Sequence, residues 1–234
     1  MKNIRPRRSA LYTPGDKASV LLKALKSAAD VLIFDLEDAV APDSKSAARD
    51  VAAQVLRESD FGEREIVVRV NALGTAWCEH DVRAVAQTDA CAILFPKIGS
   101  DEDVAAAEAL MNACNVPQRT ELWCMIETPV AILNALTIAR AARRSGARMT
   151  TWVMGTNDLV KELRGRHTPS REPLLPHLAI ALAAARAFGI CILDGVHNDI
   201  QDVDALARTC LQGRAMGFDG RTLIHPSQIA ACRT

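Results

Sequence analysis

Short apolar runs recur along this chain, each followed by a longer alanine-rich segment whose apolar residues return at helical spacing. The runs are Ala10-Leu11-Tyr12, Val31 to Phe34, Ile66 to Val70, Ile93-Leu94-Phe95, Leu122 to Ile126, Thr151 to Met154, Cys191 to Leu193 and Thr222-Leu223-Ile224, eight strand candidates in all. Helix punctuation separates them: Ser100 with Asp103 forms a capping box, and Thr128-Pro129 opens a helix that Gly146 closes. Eight such units predict an α/β fold, a single-domain (β/α)8 TIM barrel over residues 1–234, in a chain a little short for that architecture. A doubly wound open sheet is the alternative. Its first strand should lead into a glycine-rich phosphate turn, and Tyr12-Thr13-Pro14-Gly15-Asp16 offers a single glycine.

Composition narrows the function classes. With 49% hydrophobic residues, 12 glycines and 10 prolines the chain can bury a large core, and no Ser/Gly/Pro-rich stretch or charge block marks a linker. A formal net charge of zero argues against broad electrostatic binding to nucleic acid or an anionic membrane. The basic cluster Lys2, Arg5, Arg7 and Arg8 reads as a solvated terminus, with contact to a phosphate-bearing ligand as the alternative. Seven cysteines (Cys78, Cys91, Cys114, Cys124, Cys191, Cys210, Cys232) include no CxxC pair, so reduced, mostly buried thiols are expected. No apolar run approaches the ~20 residues of a membrane span, and no hydrophobic signal core opens the sequence, which makes a cytoplasmic location the expectation.

The polar residues that interrupt the strands carry the chemistry. Glu127 closes one apolar run and Asp158 another, one strand-plus-helix unit apart, so in a barrel they fall on neighbouring strand ends of the face that holds active sites. Each could instead be a helix N-terminal carboxylate, but together they are better explained by a shared divalent metal. An oxygen-only pair suits Mg²⁺. His80, His167, His177, His197 and His225 form no zinc-ligand spacing. In Val67-Val68-Arg69-Val70-Asn71 the strand period puts Arg69 and Asn71 opposite the valines; Arg69 is either an anion holder or half of a buried salt bridge. In Ile33-Phe34-Asp35-Leu36-Glu37-Asp38 the same period sets Asp35 and Glu37 on one face and Asp38 on the other. Three acids so close repel unless a metal, an arginine or a shared proton offsets the cost, and they read either as partners for Arg69 and Lys97 or as general acid/base groups. Lys97, after Phe95-Pro96, is expected to be solvent-exposed.

Taken in order, Ser9-Ala10-Leu11-Tyr12-Thr13-Pro14-Gly15, Phe34-Asp35-Leu36-Glu37-Asp38-Ala39-Val40, Val68-Arg69-Val70-Asn71, Phe95-Pro96-Lys97, Ile126-Glu127-Thr128-Pro129, Asp194-Gly195-Val196-His197, Gly217-Phe218-Asp219-Gly220 and Ile224-His225-Pro226-Ser227-Gln228-Ile229 resemble the citrate lyase β-subunit-like group of the HpcH/HpaI aldolase superfamily. The resemblance implies a Mg²⁺-dependent carbon–carbon lyase that cleaves a malyl-, citramalyl- or citryl-CoA type thioester to a 2-oxo acid and an acyl thioester. It implies Glu127 and Asp158 as metal ligands, Arg69 as the carboxylate-binding arginine, and Asp35, Glu37 and Asp38 as the acidic strand-two motif. Asp35 and Glu37, with Arg69, are the expected catalytic residues, while Asp38, Gly155, Thr156 and Asn157 would border the substrate. A coenzyme A or acyl-carrier arm would approach the loop of Tyr12, Pro14, Gly15 and Lys17.

Two departures qualify that expectation. Asn157 stands where family members commonly carry an acid before the metal aspartate. The sequence also stops at Thr234, short of helices that in relatives pack on a neighbouring subunit and carry a further catalytic carboxylate. A homo-oligomer, commonly a trimer, is implied by the resemblance. A free 2-oxo acid aldolase without coenzyme A and a non-catalytic metabolite-binding or assembly subunit are the alternatives.

Overall fold

Eight parallel strands close on themselves in chain order: β1 (Ser9–Pro14), β2 (Val31–Asp35), β3 (Glu65–Arg69), β4 (Ala92–Phe95), β5 (Glu121–Ile126), β6 (Met149–Met154), β7 (Cys191–Asp194) and β8 (Gly220–Leu223). The computed structural model describes residues 6–62, 64–144 and 146–233. Within these, β1 pairs with both β2 and β8, which completes the ring and excludes the open-sheet alternative. Helices α1 (Ala18–Ala24), α2 (Lys45–Glu58), α3 (Cys78–Val85), α4 (Asp101–Ala113), α5 (Pro129–Leu133), α6 (Ala135–Ala141), α7 (Thr156–Glu162), α8 (Leu175–Phe188), α9 (Val203–Met216) and α10 (Ile229–Cys232) cover its outside. No helix among the described residues is long and apolar enough to cross a membrane.

Both faces of each strand are buried, which is why the strands read as apolar runs rather than as alternating patterns. Successive side chains nevertheless enter different cores. Val31, Ile33, Val67, Leu94, Trp123, Met125, Val153 and Leu193 fill the barrel, whereas Leu32, Phe34, Ile66, Val68, Leu122 and Cys124 join the layer beneath the helices. This parity carries Asp35 and Arg69 into the barrel mouth, and it continues past the strand ends to Glu127 and Gly155.

The boundaries differ from the sequence reading at two places for local reasons. The capping box of Ser100 and Asp103 forms, and the Thr128 hydroxyl accepts from the Ala131 N–H as expected. The helix opened by Thr128-Pro129 then breaks at Asn134, whose Nδ2 donates to the Gly99 carbonyl at 2.9 Å, and α6 ends at Ala141 rather than near Gly146. The eighth strand stops before Ile224 because Gln228 Oε1 accepts the Ile224 N–H at 3.0 Å, where a ladder carbonyl would otherwise sit.

Arg7 corrects the reading of the basic cluster as a solvated terminus. Its guanidinium closes the N-terminal end of the barrel, donating to Glu65 at 2.6 and 2.5 Å, to Glu121 at 2.9 Å and to the Thr151 hydroxyl at 2.7 Å, over the Trp123 ring at 4.7 Å. It lies at the opposite end from the strand C-termini, away from the face where such barrels hold their active sites. Arg8 is held by Asp30 at 2.9 Å, and Lys2 and Arg5 lie outside the described residues. Arg7→Met should therefore strand the Glu65 carboxylate, which is 4% exposed, without its cation. The expected loss is about 3 kcal/mol, read as a lower urea midpoint with an unchanged m value; an unchanged midpoint would mean that the ion cluster contributes nothing net.

Candidate active site

At the C-terminal ends of β2 and β3 the register sets Asp35 beside Arg69. The pair is a two-pronged ion pair, Arg69 Nε and Nη2 donating to the two Asp35 oxygens at 2.7 and 2.6 Å. Asp35 also accepts the backbone N–H groups of Glu37 at 2.9 Å and Ala39 at 3.1 Å, so the chain curls immediately after the strand. That curl overturns the expectation that Asp38 faces away from Glu37: Arg69 Nη1 lies 2.9 Å from Glu37 Oε2 and donates to Asp38 Oδ2 at 3.2 Å. Two residues brace the curl from below, Lys45 donating to the Leu36 and Glu37 carbonyls at 2.9 and 2.6 Å, and Asn71 to the Leu36 carbonyl at 3.0 Å. Asn71 consequently does not line the mouth as its parity predicts; β3 has already ended, and its amide is taken by Leu36 and by buried Asp81 at 2.7 Å.

One guanidinium cannot balance three carboxylates in a half-dry site. Burial, reinforced by Asp38, Glu127 and Asp35 and opposed by Arg69, pushes the Glu37 carboxyl up to about 7. Its Oε2, close to Arg69 but poorly aligned with it, is buried without a hydrogen bond. The Tyr12 ring lies 4.9 Å from the Arg69 guanidinium, and burial pushes its phenol above the usual range.

A second cluster forms at the ends of β5 and β6. Glu127 Oε1 accepts the Lys97 N–H at 2.7 Å, while the Lys97 ammonium stands 3.8 Å from the same oxygen and in close contact with Asp158 Oδ2. Lys97 reaches both because its backbone is left-handed, at φ 57°, a conformation that costs a lysine about 1 kcal/mol. Gly155 makes room for the carboxylate: a Cβ there would lie 2.4 Å from Glu127 Cβ and 2.5 Å from its Oε2. Burial raises the Glu127 pKa, and the nearby Lys97 works against the rise. The expectation of an exposed Lys97 is thus corrected; it is a half-buried cation between the two acids. Its signal was positional, since it lies two residues past β4, next to the strand that leads into Glu127.

The oxygen-only donors suit a hard divalent cation. Among the described residues no three His, Cys, Asp or Glu side chains converge on a metal-sized point. Glu127 and Asp158 would leave the remaining positions to water and substrate, the arrangement Mg²⁺ commonly adopts.

The other predicted residues divide. Thr156 is buried against Gly195, where a Cβ would come within 2.3 Å of its hydroxyl. Asn157 is exposed at the rim and exchanges amide hydrogen bonds of 3.0 and 2.9 Å with Asn198, away from Arg69. In the first loop Tyr12 belongs with Arg69, Pro14 ends β1, and Gly15 is structural: its N–H donates to the Asp35 carbonyl at 2.9 Å, and a Cβ would meet Leu36 at 2.7 Å. Lys17 is exposed.

Comparison with known proteins bears on this arrangement. The profile of the HpcH/HpaI aldolase/citrate lyase family matches residues 8–226. The chain belongs to this family. It is 49% identical to a (3S)-malyl-CoA thioesterase of Cereibacter sphaeroides over 96% of this chain and 75% of that protein. It is 34% identical to the citrate lyase subunit beta of Escherichia coli, over 97% of this chain and 76% of the other. Among solved structures, the protein CitE from Mycobacterium tuberculosis in complex with magnesium, acetoacetate and coenzyme A superposes with a TM-score of 0.83 at 34% identity, covering 98% of this chain and 81% of that one.

The Glu37 carboxyl gives the family site of this chain a pH signature. Its pKa rises from 4.5 to about 7 on folding, so within that window the folded chain holds a proton that the unfolded chain has lost. Stability therefore falls as pH rises through the window, and the deficit is complete above it. Glu37→Gln should raise stability at pH 8 by on the order of 2 kcal/mol and change little at pH 4, measured as urea midpoints at both values. An equal change at both would show that Glu37 does not titrate in this range.

Proposed function

We propose that this protein cleaves the carbon–carbon bond of a 3-hydroxy-3-carboxy acyl thioester of the malyl-CoA type, with Mg²⁺, giving a 2-oxo acid and an acyl thioester. The observation that carries the reading is that one barrel mouth brings together a carboxyl titrating near 7 beside Arg69 and a carboxylate pair, Glu127 and Asp158, around a cation. The relatives named for malyl-CoA and citrate cleavage, and a neighbour that binds magnesium and coenzyme A, support the same substrate class.

Glu127 and Asp158 would hold Mg²⁺ in exchange for the Lys97 ammonium, and the bound ion would supply positive charge to the hydroxyl and carboxylate oxygens of the substrate. Arg69 keeps Asp35 on its Nε and Nη2 and offers Nη1, now facing Glu37 and Asp38, to the anionic end of the substrate. Glu37, as carboxylate, takes the hydroxyl proton as the carbon–carbon bond breaks and the electron pair moves into the thioester as an enolate. The same carboxyl then returns that proton to the enolate carbon. Tyr12 fixes the plane of the guanidinium beneath, and exposed Lys17 suits the phosphates of a coenzyme A arm. Val130, Leu133 and Leu136, exposed on α5 and α6, are the surface we assign to self-association.

Thioester hydrolysis is the second reading, favoured by the 49% identity to a thioesterase against 34% to a citrate lyase subunit. There Glu37 would deprotonate water rather than the substrate hydroxyl. Incubation of (3S)-malyl-CoA with the protein and Mg²⁺ separates the two: glyoxylate with acetyl-CoA is expected from the lyase, malate with free coenzyme A thiol from the hydrolase. EDTA and Glu127→Ala should each abolish product by at least about a hundredfold, and full activity of Glu127→Ala would remove that residue from the site. Arg69→Lys should weaken 2-oxo acid binding about tenfold although the charge survives, since the fork to Asp35 is lost; equal affinity by calorimetry would assign Arg69 a purely structural role.

A further inference from the structure

Away from the mouth, Cys210 of α9 and Cys232 of α10 bring their sulfur atoms to 3.2 Å although 22 residues separate them in sequence. Both are half-buried, which departs from the expectation of buried thiols that Cys78, Cys114 and Cys124 meet. Arg221 stands beside the pair: Nη1 is 3.7 Å from Cys210 Sγ and is held in place by the Thr209 hydroxyl at 2.8 Å, while Nε is held by the Gly195 carbonyl at 2.8 Å. The contact between the two thiols, opposed by burial and helped by Arg221, lowers the Cys210 pKa, while Cys232 is pushed up. Cys210, the sulfur beside the Arg221 guanidinium, is thus the better placed nucleophile of the two.

Both sulfurs line a cavity of about 740 Å³ that opens between α9 and α10. Arg8, Arg214, Arg221 and Arg233 line its wall together with Asp194 and Asp219, with Arg8 paired to Asp30 at 2.8 Å and Arg221 to Asp194 at 3.2 Å.

We propose that Cys210 and Cys232 form an exchangeable dithiol that reacts with a small disulfide to close a reversible protein disulfide between α9 and α10. The Cys210 thiolate attacks one sulfur of the small disulfide; a new S–S bond forms, the old one breaks, and the leaving thiolate takes up a proton. Cys232 then loses its proton and attacks Cys210, expelling the second small thiol. The two protein thiols are oxidised by two electrons and the small disulfide is reduced to two thiols. Closure needs the sulfurs to move from 3.2 Å to about 2.05 Å. The staple would tie down α10, which follows the turn where Gln228 accepts the Ile224 and His225 N–H groups at 3.0 and 3.3 Å and donates to the His197 carbonyl at 2.9 Å.

The test is titration of the folded chain with oxidised glutathione at neutral pH, followed by alkylation and peptide mass spectrometry. The expected product is a Cys210–Cys232 cross-link, lighter by two hydrogen atoms, reversed by dithiothreitol and melting at a higher temperature than the reduced protein, while Cys91 and Cys191 stay open to alkylation in denaturant. Cys232→Ser should trap glutathione on Cys210, and Cys210→Ser should suppress reaction at Cys232. A mixed disulfide that persists on wild-type Cys210, an unmodified Cys210 in Cys232→Ser, or a cross-link that forms only after denaturation would overturn the proposal.

Discussion

The Asp35–Arg69 ion pair organises this site more than any other contact. It joins the ends of two neighbouring strands inside the barrel, and both partners are nearly inaccessible to water, at 2% and 6% exposure. Because Asp35 is fully engaged by Arg69 and by two backbone N–H groups, the following residues have to turn inward. Glu37 and Asp38 then share a guanidinium already committed elsewhere, and the Glu37 carboxyl, which would be ionised in water, is pushed up to about 7. The pair therefore does structural and electrostatic duty at once, since the ion pair that closes the β2–β3 end also creates the surplus of negative charge above it.

The barrel was legible because its strands have no solvated face. A strand buried on both sides must be apolar throughout, so every polar residue that interrupts one, such as Asp35, Arg69 or Glu127, stands out at the point where the strand ends. Parity then failed three residues beyond β2 and two beyond β3, because it holds only while the backbone stays extended. Asp38 and Asn71 fall just past β2 and β3, and their side-chain directions are set by hydrogen bonds to residues far away in sequence. Lys97 escaped for a related reason: nothing in Phe95-Pro96-Lys97 announces a left-handed lysine, and its meaning depends on Glu127, thirty residues later. The small residues were only partly readable. Gly155 and Gly15 are required by close approach to Glu127 and Leu36, contacts that exist only once the strands are side by side.

The two clusters of the mouth handle charge differently. At β2–β3 excess acid is met by a raised carboxyl pKa, whereas at β5–β6 it is met by the Lys97 ammonium on a left-handed backbone. Family membership and the likeness to proteins named for malyl-CoA and citrate chemistry accord with the proposal that this mouth lends a proton and exchanges one cation for another.

The other end of the barrel carries an implication for how the chain reaches this form. Arg7 precedes the first strand, yet its partners Glu65, Glu121 and Thr151 lie 58, 114 and 144 residues further on. The bonds to Glu65 can form once β3 exists, but those to Glu121 and Thr151 cannot, so the complete plug is an assembly step that waits for β6. Loop closure over such spans is slow compared with local helix formation. During synthesis from the N-terminus the Arg7 cluster therefore stays incomplete until Thr151 has emerged. Sealing of the barrel floor is thereby a late checkpoint: a chain that has docked Arg7 has already brought β3, β5 and β6 together.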